Sequence, residues 1–142
     1  MRELHMPLQR QVGRPRTGPG ELAEWAKRVR RTQQPCLLVG IDGALVAISE
    51  TARGLLGPNA RPGMPESSWW LEQFPHAPTP SRERSLLARA AASGTAAHSV
   101  VQLLLDDVAV TMQVLVAPLE TTSSDTDALL VFLRPVTVVA SG

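Results

Sequence analysis

The histidines, the single cysteine and one pair of adjacent aspartates are the first candidates for acid–base, nucleophilic or metal chemistry in this chain. His5 lies in an Arg- and Pro-rich N-terminal segment, His76 in the loop FPHAPTP, and His98 at the start of an apolar segment. No metal-ligand spacing, nucleophile-elbow serine or Gly-rich phosphate loop accompanies them. The residue types therefore favour a non-catalytic protein that holds no metal ion.

The remaining candidates have structural interpretations. Asp106 and Asp107 separate two apolar segments, which predicts a solvated hairpin tip rather than an acid–base pair, since such a pair needs a cleft that shifts one pKa. Cys36 falls in the first predicted strand and is expected to be a small core residue. As the only cysteine it cannot form an internal disulfide.

Length and composition indicate one globular domain. The chain has 142 residues, of which 44% are hydrophobic and 19% charged. No apolar segment reaches the roughly 18 residues that a membrane helix needs. The basic N-terminus lacks the apolar centre of a signal peptide, so we expect a cytoplasmic protein without a membrane contact.

Charge is unevenly distributed along the chain. Residues 1–31 carry eight basic and three acidic side chains, whereas the remainder carries six basic and ten acidic ones. Residues 1–20 are rich in Pro and Gly and are predicted to form a flexible basic tail. The Gly-Arg-Pro sequence within VGRPRTGPG is similar to the core of minor-groove peptides, which leaves a weak DNA contact as an alternative role of this tail.

Residues 21–34, ELAEWAKRVRRTQQ, are predicted to form an amphipathic helix. Its apolar face consists of Leu22, Trp25, Ala26 and Val29 at helical spacing. A helix of this length is marginal alone in water, so this face needs a docking surface.

The next segment predicts a hairpin followed by a short helix. Asp42-Gly43 is a two-residue turn signal between apolar strands, and the resulting register places Leu37 opposite Ile48 and Val39 opposite Val46. Apolar residues then meet on both faces of the hairpin, so both faces should be covered. Ser49 is the expected N-cap of the helix that follows.

The middle of the chain predicts irregular structure and then a second helix. The apolar turn SSWWLEQF lies between two turn-rich segments. A clearer helix is expected to open at Thr79-Pro80 and to end at Gly94.

The second half predicts strands. HSVVQLLLDDVAVTMQVLVAPLE should fold back at Asp106-Asp107, with Leu103 opposite Val110 and Val101 opposite Met112. The uninterrupted apolar segment from Ala128 predicts a final strand that is central and covered on both faces.

This order of elements resembles the PAS domain family over roughly residues 21–135. The resemblance rests on LLVGIDGALVAISETARGLLG, on LLARAAASG and on VLVAPLE. Ser49 stands where the family often has Asn, and Glu50 where it often has Pro. The resemblance implies an α+β fold over residues 35–142, in which a five-stranded antiparallel sheet carries helices on one face, preceded by the N-terminal helix.

The resemblance also implies a sensory or signalling module with a cavity between sheet and helices. The cavity candidates are Trp69, Trp70, Phe74, His76, Leu87, Val110, Met112 and Val114. The Asn-Cys-Arg motif of flavin-binding members is absent, and His76 is the only position that matches a haem ligand, so we expect neither cofactor. Two alternatives remain open: a small apolar ligand in the cavity, or aromatic side chains that fill it.

Partner binding follows from the same resemblance. Family members often dimerise through the N-terminal helix, which makes Leu22, Trp25, Ala26 and Val29 the predicted homodimer interface. A signalling partner would bind in trans, unless the module belongs to a longer protein. Two other functions stay open: a DNA-associated transcriptional regulator that uses the basic arm, and a small enzyme whose acid–base residue is His76 or His98.

Overall fold

The computed structural model of the chain describes residues 21–72, 85–120 and 126–136. Its helices are α1 (Glu21–Arg31), α2 (Glu50–Leu56), α3 (Glu66–Trp69) and α4 (Leu86–Ser93). Its strands are β1 (Cys36–Gly40), β2 (Leu45–Ile48), β3 (Ala97–Leu105), β4 (Val108–Glu120) and β5 (Thr126–Pro135). The predicted flexible tail, residues 1–20, lies outside the described residues.

The strands form one antiparallel five-stranded sheet in the order β2-β1-β5-β4-β3. β5 lies between β1 and β4, with Val131 opposite Leu37 on one side and Val116 on the other. The predicted central position of the last strand and the predicted α+β fold are therefore confirmed.

The β3–β4 hairpin has the predicted register. Leu103 pairs with Val110 and Val101 with Met112. Asp106 and Asp107 form the turn with φ of 53° and 65°. A two-residue turn with positive φ at both positions matches the right-handed twist of the strands, and Asp tolerates this conformation better than most residues.

The β1–β2 turn is longer than the two-residue turn that Asp42-Gly43 predicts. Gly43 N–H donates to the carbonyl of Gly40 (2.8 Å), and Gly40 N–H donates to the carbonyl of Ala44 (2.9 Å). Gly43 has a φ of 90°, which favours glycine. These bonds define a loop of residues 41–43, in which a turn is followed by a glycine bulge.

The register of β1 and β2 shifts as a consequence. Val39 pairs with Leu45, so the predicted Val39–Val46 pair is wrong, and Val46 is 46% exposed. The Leu45 backbone also pairs on its other side, because Leu45 N–H donates to Met64 O (3.0 Å) and Gly63 N–H donates to Leu45 O (2.7 Å). This second pairing holds Leu45 in place while Val46 bulges outward.

Buried side chains form two clusters, one on each face of the sheet. The inner cluster lies between the sheet and helices α2, α3 and α4 and comprises Leu37, Val39, Leu45, Ile48, Ala52, Leu56, Ala60, Trp69, Trp70, Leu86, Leu87, Ala90, Val101, Leu103, Met112, Val114, Val116, Leu129, Val131 and Leu133. The outer cluster lies between the sheet and α1 and comprises Trp25, Ala26, Val29, Cys36, Leu38, Ala47, Ala117, Leu119, Ala128, Leu130 and Phe132. The β1–β2 hairpin is thus covered on both faces, as its alternation predicts.

Helix α1 docks its apolar face on the sheet of its own chain. Trp25, Ala26 and Val29 are buried in the outer cluster, and Leu22 packs against it. The Arg28 guanidinium lies 4.9 Å from the centroid of the Trp25 ring and covers it from the solvent side. In this conformation the four side chains contact their own sheet, and their role as a homodimer interface stays a prediction.

Helix α4 begins directly after Ser85. Ser85 is the N-cap of α4, because its Oγ accepts a hydrogen bond from Ala88 N–H at 3.0 Å. The expected start at Thr79-Pro80 lies outside the described residues. Gly94 ends the helix with a φ of 69°, as predicted.

None of the helices in the described part of the chain is long and apolar enough to cross a membrane.

Burial of Cys36 under α1 makes stability depend on pH in the alkaline range. Desolvation raises the pKa of this thiol from an ordinary value of 9.0 to about 12. As pH rises, the Cys36 thiol therefore loses its proton in the unfolded chain before it does so in the folded protein. The contribution of this thiol to stability is fully present below pH 9.0, and it is lost as pH rises from 9.0 towards about 12. We expect the unfolding free energy to fall by about 1.4 kcal/mol between pH ~8 and pH ~10, measured by urea denaturation.

Cys36→Ala is the control for this prediction. The sequence contains no tyrosine, and Lys27 is its only lysine, so few other groups titrate in this range. The variant should be less stable at pH ~8 but should lack the loss of about 1.4 kcal/mol. An equal loss in both proteins would contradict the assignment.

Candidate functional site

Two adjacent tryptophans form the centre of the helical side of the interior. Trp69 is the last residue of α3, and Trp70 follows with an extended backbone (φ −122°, ψ 86°), so both rings turn inward. Each is 3% exposed. Their centroids are 5.6 Å apart at an interplanar angle of 63°, an edge-to-face arrangement that aromatic pairs prefer.

Trp69 connects the helical layer to the β1–β2 turn. Its indole Nε1–H donates to the carbonyl of Gly43 at 3.1 Å, and this bond is buried. The bond satisfies the polar atom of a buried indole and fixes the position of α3 relative to the turn.

Trp70 connects the same layer to α4 through Glu72. The Trp70 Nε1–H donates to Glu72 Oε2 at 2.8 Å, and the Leu86 N–H donates to the same oxygen at 3.0 Å. Leu86 is the first residue of α4, where a carboxylate is favoured by the helix dipole and by the unpaired N–H groups. Glu72 is 9% exposed, and its Oε2 atom takes its hydrogen bonds from these two protein donors.

The backbone next to Glu72 attaches this segment to the edge of the sheet. Leu104 N–H of β3 donates to the carbonyl of Leu71 at 2.8 Å, and Glu72 forms an isolated antiparallel bridge with Leu103. We name residues 69–72 the tryptophan–glutamate link, because their hydrogen bonds join the β1–β2 turn, α4 and β3.

The sheet supplies the opposite wall of the interior. Met112 and Val114 of β4 are fully buried, as is Leu87 of α4, and Val110 is half-buried and packs against the same cluster. The structure thus brings together all the predicted cavity residues except Phe74 and His76, which lie outside the described residues. That these residues bind a ligand stays a prediction.

The sequence prediction missed Glu72 and the Gly43 carbonyl as partners of the tryptophans. A charged residue inside the apolar turn WWLEQF was a usable signal, because a carboxylate between buried aromatic residues needs hydrogen-bond donors. The Gly43 carbonyl has no signal in the sequence, since any backbone carbonyl could accept.

The other candidate residues lie away from this interior. His98 is exposed on the outer face of β3. Asp106 and Asp107 are exposed at the hairpin tip, as predicted. Within the described ranges, no group of three or more His, Cys, Asp or Glu side chains could hold a metal ion.

Comparisons with known proteins give a family and a fold. A family model described as PAS fold matches residues 29–141. A search of curated protein sequences gave no match. Among solved structures, the chain is similar to the LOV protein of Rhodobacter sphaeroides, with a TM-score of 0.66 and 12% identity over 87% of this chain and 71% of that one.

Two further solved structures agree with this fold. The PAS domain from the fruit-fly ELK potassium channel has a TM-score of 0.60 and 14% identity, over 82% of this chain and 98% of that one. The PAS domain of nitrogen regulation protein NR(II) from Vibrio parahaemolyticus has a TM-score of 0.55 and 18% identity, over 78% of this chain and 96% of that one. At such identities the likeness shows the fold alone.

Removing the Glu72 carboxylate should destabilise the protein, because it leaves two buried N–H groups unsatisfied. We expect Glu72→Ala to lower the unfolding free energy by about 2–4 kcal/mol. Glu72→Gln keeps one acceptor oxygen and should cost roughly half as much. Urea denaturation followed by tryptophan fluorescence measures both effects.

Glu50→Ala is the matched control, since Glu50 lies exposed in the first turn of α2. It should change stability by less than about 0.5–1 kcal/mol. If Glu72→Ala lowers the unfolding free energy no more than Glu50→Ala does, the tryptophan–glutamate link does not hold the helical layer in place.

Proposed function

The chain belongs to the PAS family, and from this membership we propose that it is a non-catalytic sensory module that binds a small apolar ligand in its interior, dimerises and signals to a partner protein in trans. PAS domains are generally sensory and signalling modules. The interior between the sheet and helices α2–α4 is the proposed sensing region.

The tryptophan–glutamate link is the observation that carries this proposal. Trp69 bonds to the β1–β2 turn, and Trp70 bonds through Glu72 to the first residue of α4. Both rings lie in the same cluster as Met112 and Val114 of the sheet. A ligand that lies against these rings would shift the hydrogen bonds that position α3 and α4, which converts occupancy into movement of the helical layer.

The class of ligand follows from the side chains around the link. The inner cluster consists of apolar side chains, including those of Trp69, Leu87 and Met112. The buried carboxylate of Glu72 already accepts two hydrogen bonds and gains nothing from a cationic ligand that displaces them. An uncharged, mainly apolar molecule therefore suits this interior better than flavin, for which the sequence lacks the reactive cysteine motif. The only candidate for a haem ligand, His76, lies outside the described residues.

A path from the interior to the outer face supports a role in signalling. Ser49 caps α2, with its Oγ accepting from Ala52 N–H at 3.2 Å and from Cys36 N–H at 3.0 Å. The same hydroxyl donates to Gln34 O at 2.8 Å, in the linker between α1 and β1. A displacement of α2 would therefore act directly on the linker that leads to α1.

Native mass spectrometry and an absorption spectrum of freshly purified protein test ligand binding. We expect a bound mass of a few hundred daltons that is lost on denaturation, without haem or flavin absorption. Leu87→Phe enlarges a fully buried side chain and should lower the occupied fraction about tenfold, at a stability cost of about 1–3 kcal/mol.

Val46→Phe adds the same ring at an exposed position and is the matched control, with unchanged occupancy expected. The sensing role would be contradicted if native mass spectrometry shows the protein without a bound molecule and if no compound from a library of small apolar molecules raises its melting temperature.

The DNA-associated regulator remains a second candidate, because Lys27, Arg30 and Arg31 are exposed on α1 and continue the basic character of residues 1–20. If it is correct, the full chain should shift a DNA duplex at low salt and lose most of this affinity when salt is raised about fourfold. Deletion of residues 1–20 should remove the shift. An absent or unchanged shift would exclude this function.

The small-enzyme alternative needs an acid–base side chain inside the interior. His98 is exposed on the outer face, and the Glu72 carboxylate is occupied by two donors. Neither of these two side chains favours this alternative over the sensory one.

A further inference from the structure

Helix α1 covers only part of the outer face of the sheet. It packs on β1 and β2 and on the adjoining parts of β4 and β5, where Ala117 and Leu130 are buried. On β3, by contrast, the outward-facing Val100 is 54% exposed. The described residues thus leave the outer face of the β3–β4 hairpin open, with an apolar β-branched residue exposed on it.

A groove of about 440 Å³ lies at one end of this open face. Phe132, Leu115 and Pro35 give it an apolar lining, and Arg134, Gln113 and His98 add hydrogen-bond donors. The strand register brings these together, because Arg134 pairs with Gln113, and Leu115 pairs with both His98 and Phe132. No acidic side chain is among the described residues that line it, and Arg134 forms no ion pair within the described ranges.

The opposite end of the same hairpin is acidic. Asp106 and Asp107 form the exposed tip. The tip lies about 20 Å from the row that contains Val100, Gln113 and Arg134, at ~3.3 Å per residue. One open face therefore has a basic groove at one end and an acidic tip at the other, with two rows between them, Gln102 with Thr111 and Leu104 with Ala109.

We propose that a second copy of this chain docks on the open face in antiparallel orientation, so that the Asp106-Asp107 tip of each copy enters the groove of the other. A two-fold axis near Gln102 and Leu104 produces this arrangement, because it lies about midway between groove and tip. Each Asp pair then meets Arg134 and His98 of the facing copy. The inference specifies the interface of the homodimer and rests on that part of the proposed function.

Charge favours this orientation over the alternatives. A parallel arrangement would place the two grooves against each other and the two acidic tips against each other, which is repulsive at both ends. The antiparallel arrangement pairs opposite charges twice and places Leu104 and Ala109 of each copy over Gln102 and Thr111 of the other, at the spacing of about 10 Å that packed sheets adopt. It also leaves α1 docked, so Trp25 stays buried in its own chain.

Charge reversal tests this interface in the full chain. The dissociation constant of the dimer, from sedimentation equilibrium, should rise about tenfold or more in Arg134→Glu and in the double variant Asp106→Arg/Asp107→Arg. Combining all three substitutions should restore the dissociation constant to within about threefold of the parent. Arg30→Glu, an exposed reversal on α1, is the matched control and should leave the dissociation constant unchanged.

A cross-link provides a second measurement that does not depend on affinity. In a Cys36→Ala background, Gln102→Cys lies near the proposed axis and should form a disulfide between copies under mild oxidation. Val46→Cys, exposed on β2 at the far edge of the sheet, should not.

The outcomes separate this interface from the dimer itself. A parent chain that is monomeric at all concentrations overturns both the interface and the dimeric part of the proposed function. A dimer that resists both charge reversals but dissociates in Trp25→Glu overturns the interface alone and favours the α1 face. Single reversals that dissociate the dimer without rescue in the combined variant overturn the tip-to-groove pairing.

Discussion

The burial of β5 on both faces is the constraint on which the rest of the structure depends. Leu129, Val131 and Leu133 enter the inner cluster, and Leu130 and Phe132 enter the outer one. β5 is also paired along both edges, with β1 and β4. Since full burial of one such side chain is worth about 1.5–3 kcal/mol, leaving either face in water would remove much of the stability of a domain this size. Helices must therefore lie on both sides of the sheet, which is why α1 is needed.

The two faces consequently share their strands. Leu37 and Leu38 are neighbours on β1, and they pack in the inner and the outer cluster respectively. A movement of the inner helices is thus transmitted through the same backbone that supports α1, and the Ser49 hydroxyl adds a direct connection between α2 and the α1–β1 linker. A sensory function needs such coupling between an interior and a surface, and here it follows from the alternation of side chains along a doubly covered strand.

Buried polar groups determine how the helical layer sits on the sheet. Apolar packing alone tolerates sliding, whereas a hydrogen bond in a low-dielectric interior requires a specific distance and direction. The indoles of Trp69 and Trp70 each use their one donor on a specific acceptor, Gly43 O and Glu72 Oε2. Glu72 Oε2 also accepts a hydrogen bond from the Leu86 N–H of α4, so the position of one side chain fixes the relation between a helix start and an aromatic pair.

Alternation and turn chemistry in the sequence determined the α+β fold, the β3–β4 register and the central place of Ala128 to Arg134, because these depend on which residues avoid water and which tolerate positive φ. The family resemblance added the topology. Only the tertiary structure decided the bulge at Val46, since that depends on Leu45 pairing with Gly63 and Met64, which are distant in sequence. It likewise decided that Glu72 joins Trp70 to Leu86 and that α1 leaves β3 uncovered, because hydrogen-bond partners and coverage follow from packing in three dimensions rather than from spacing along the chain.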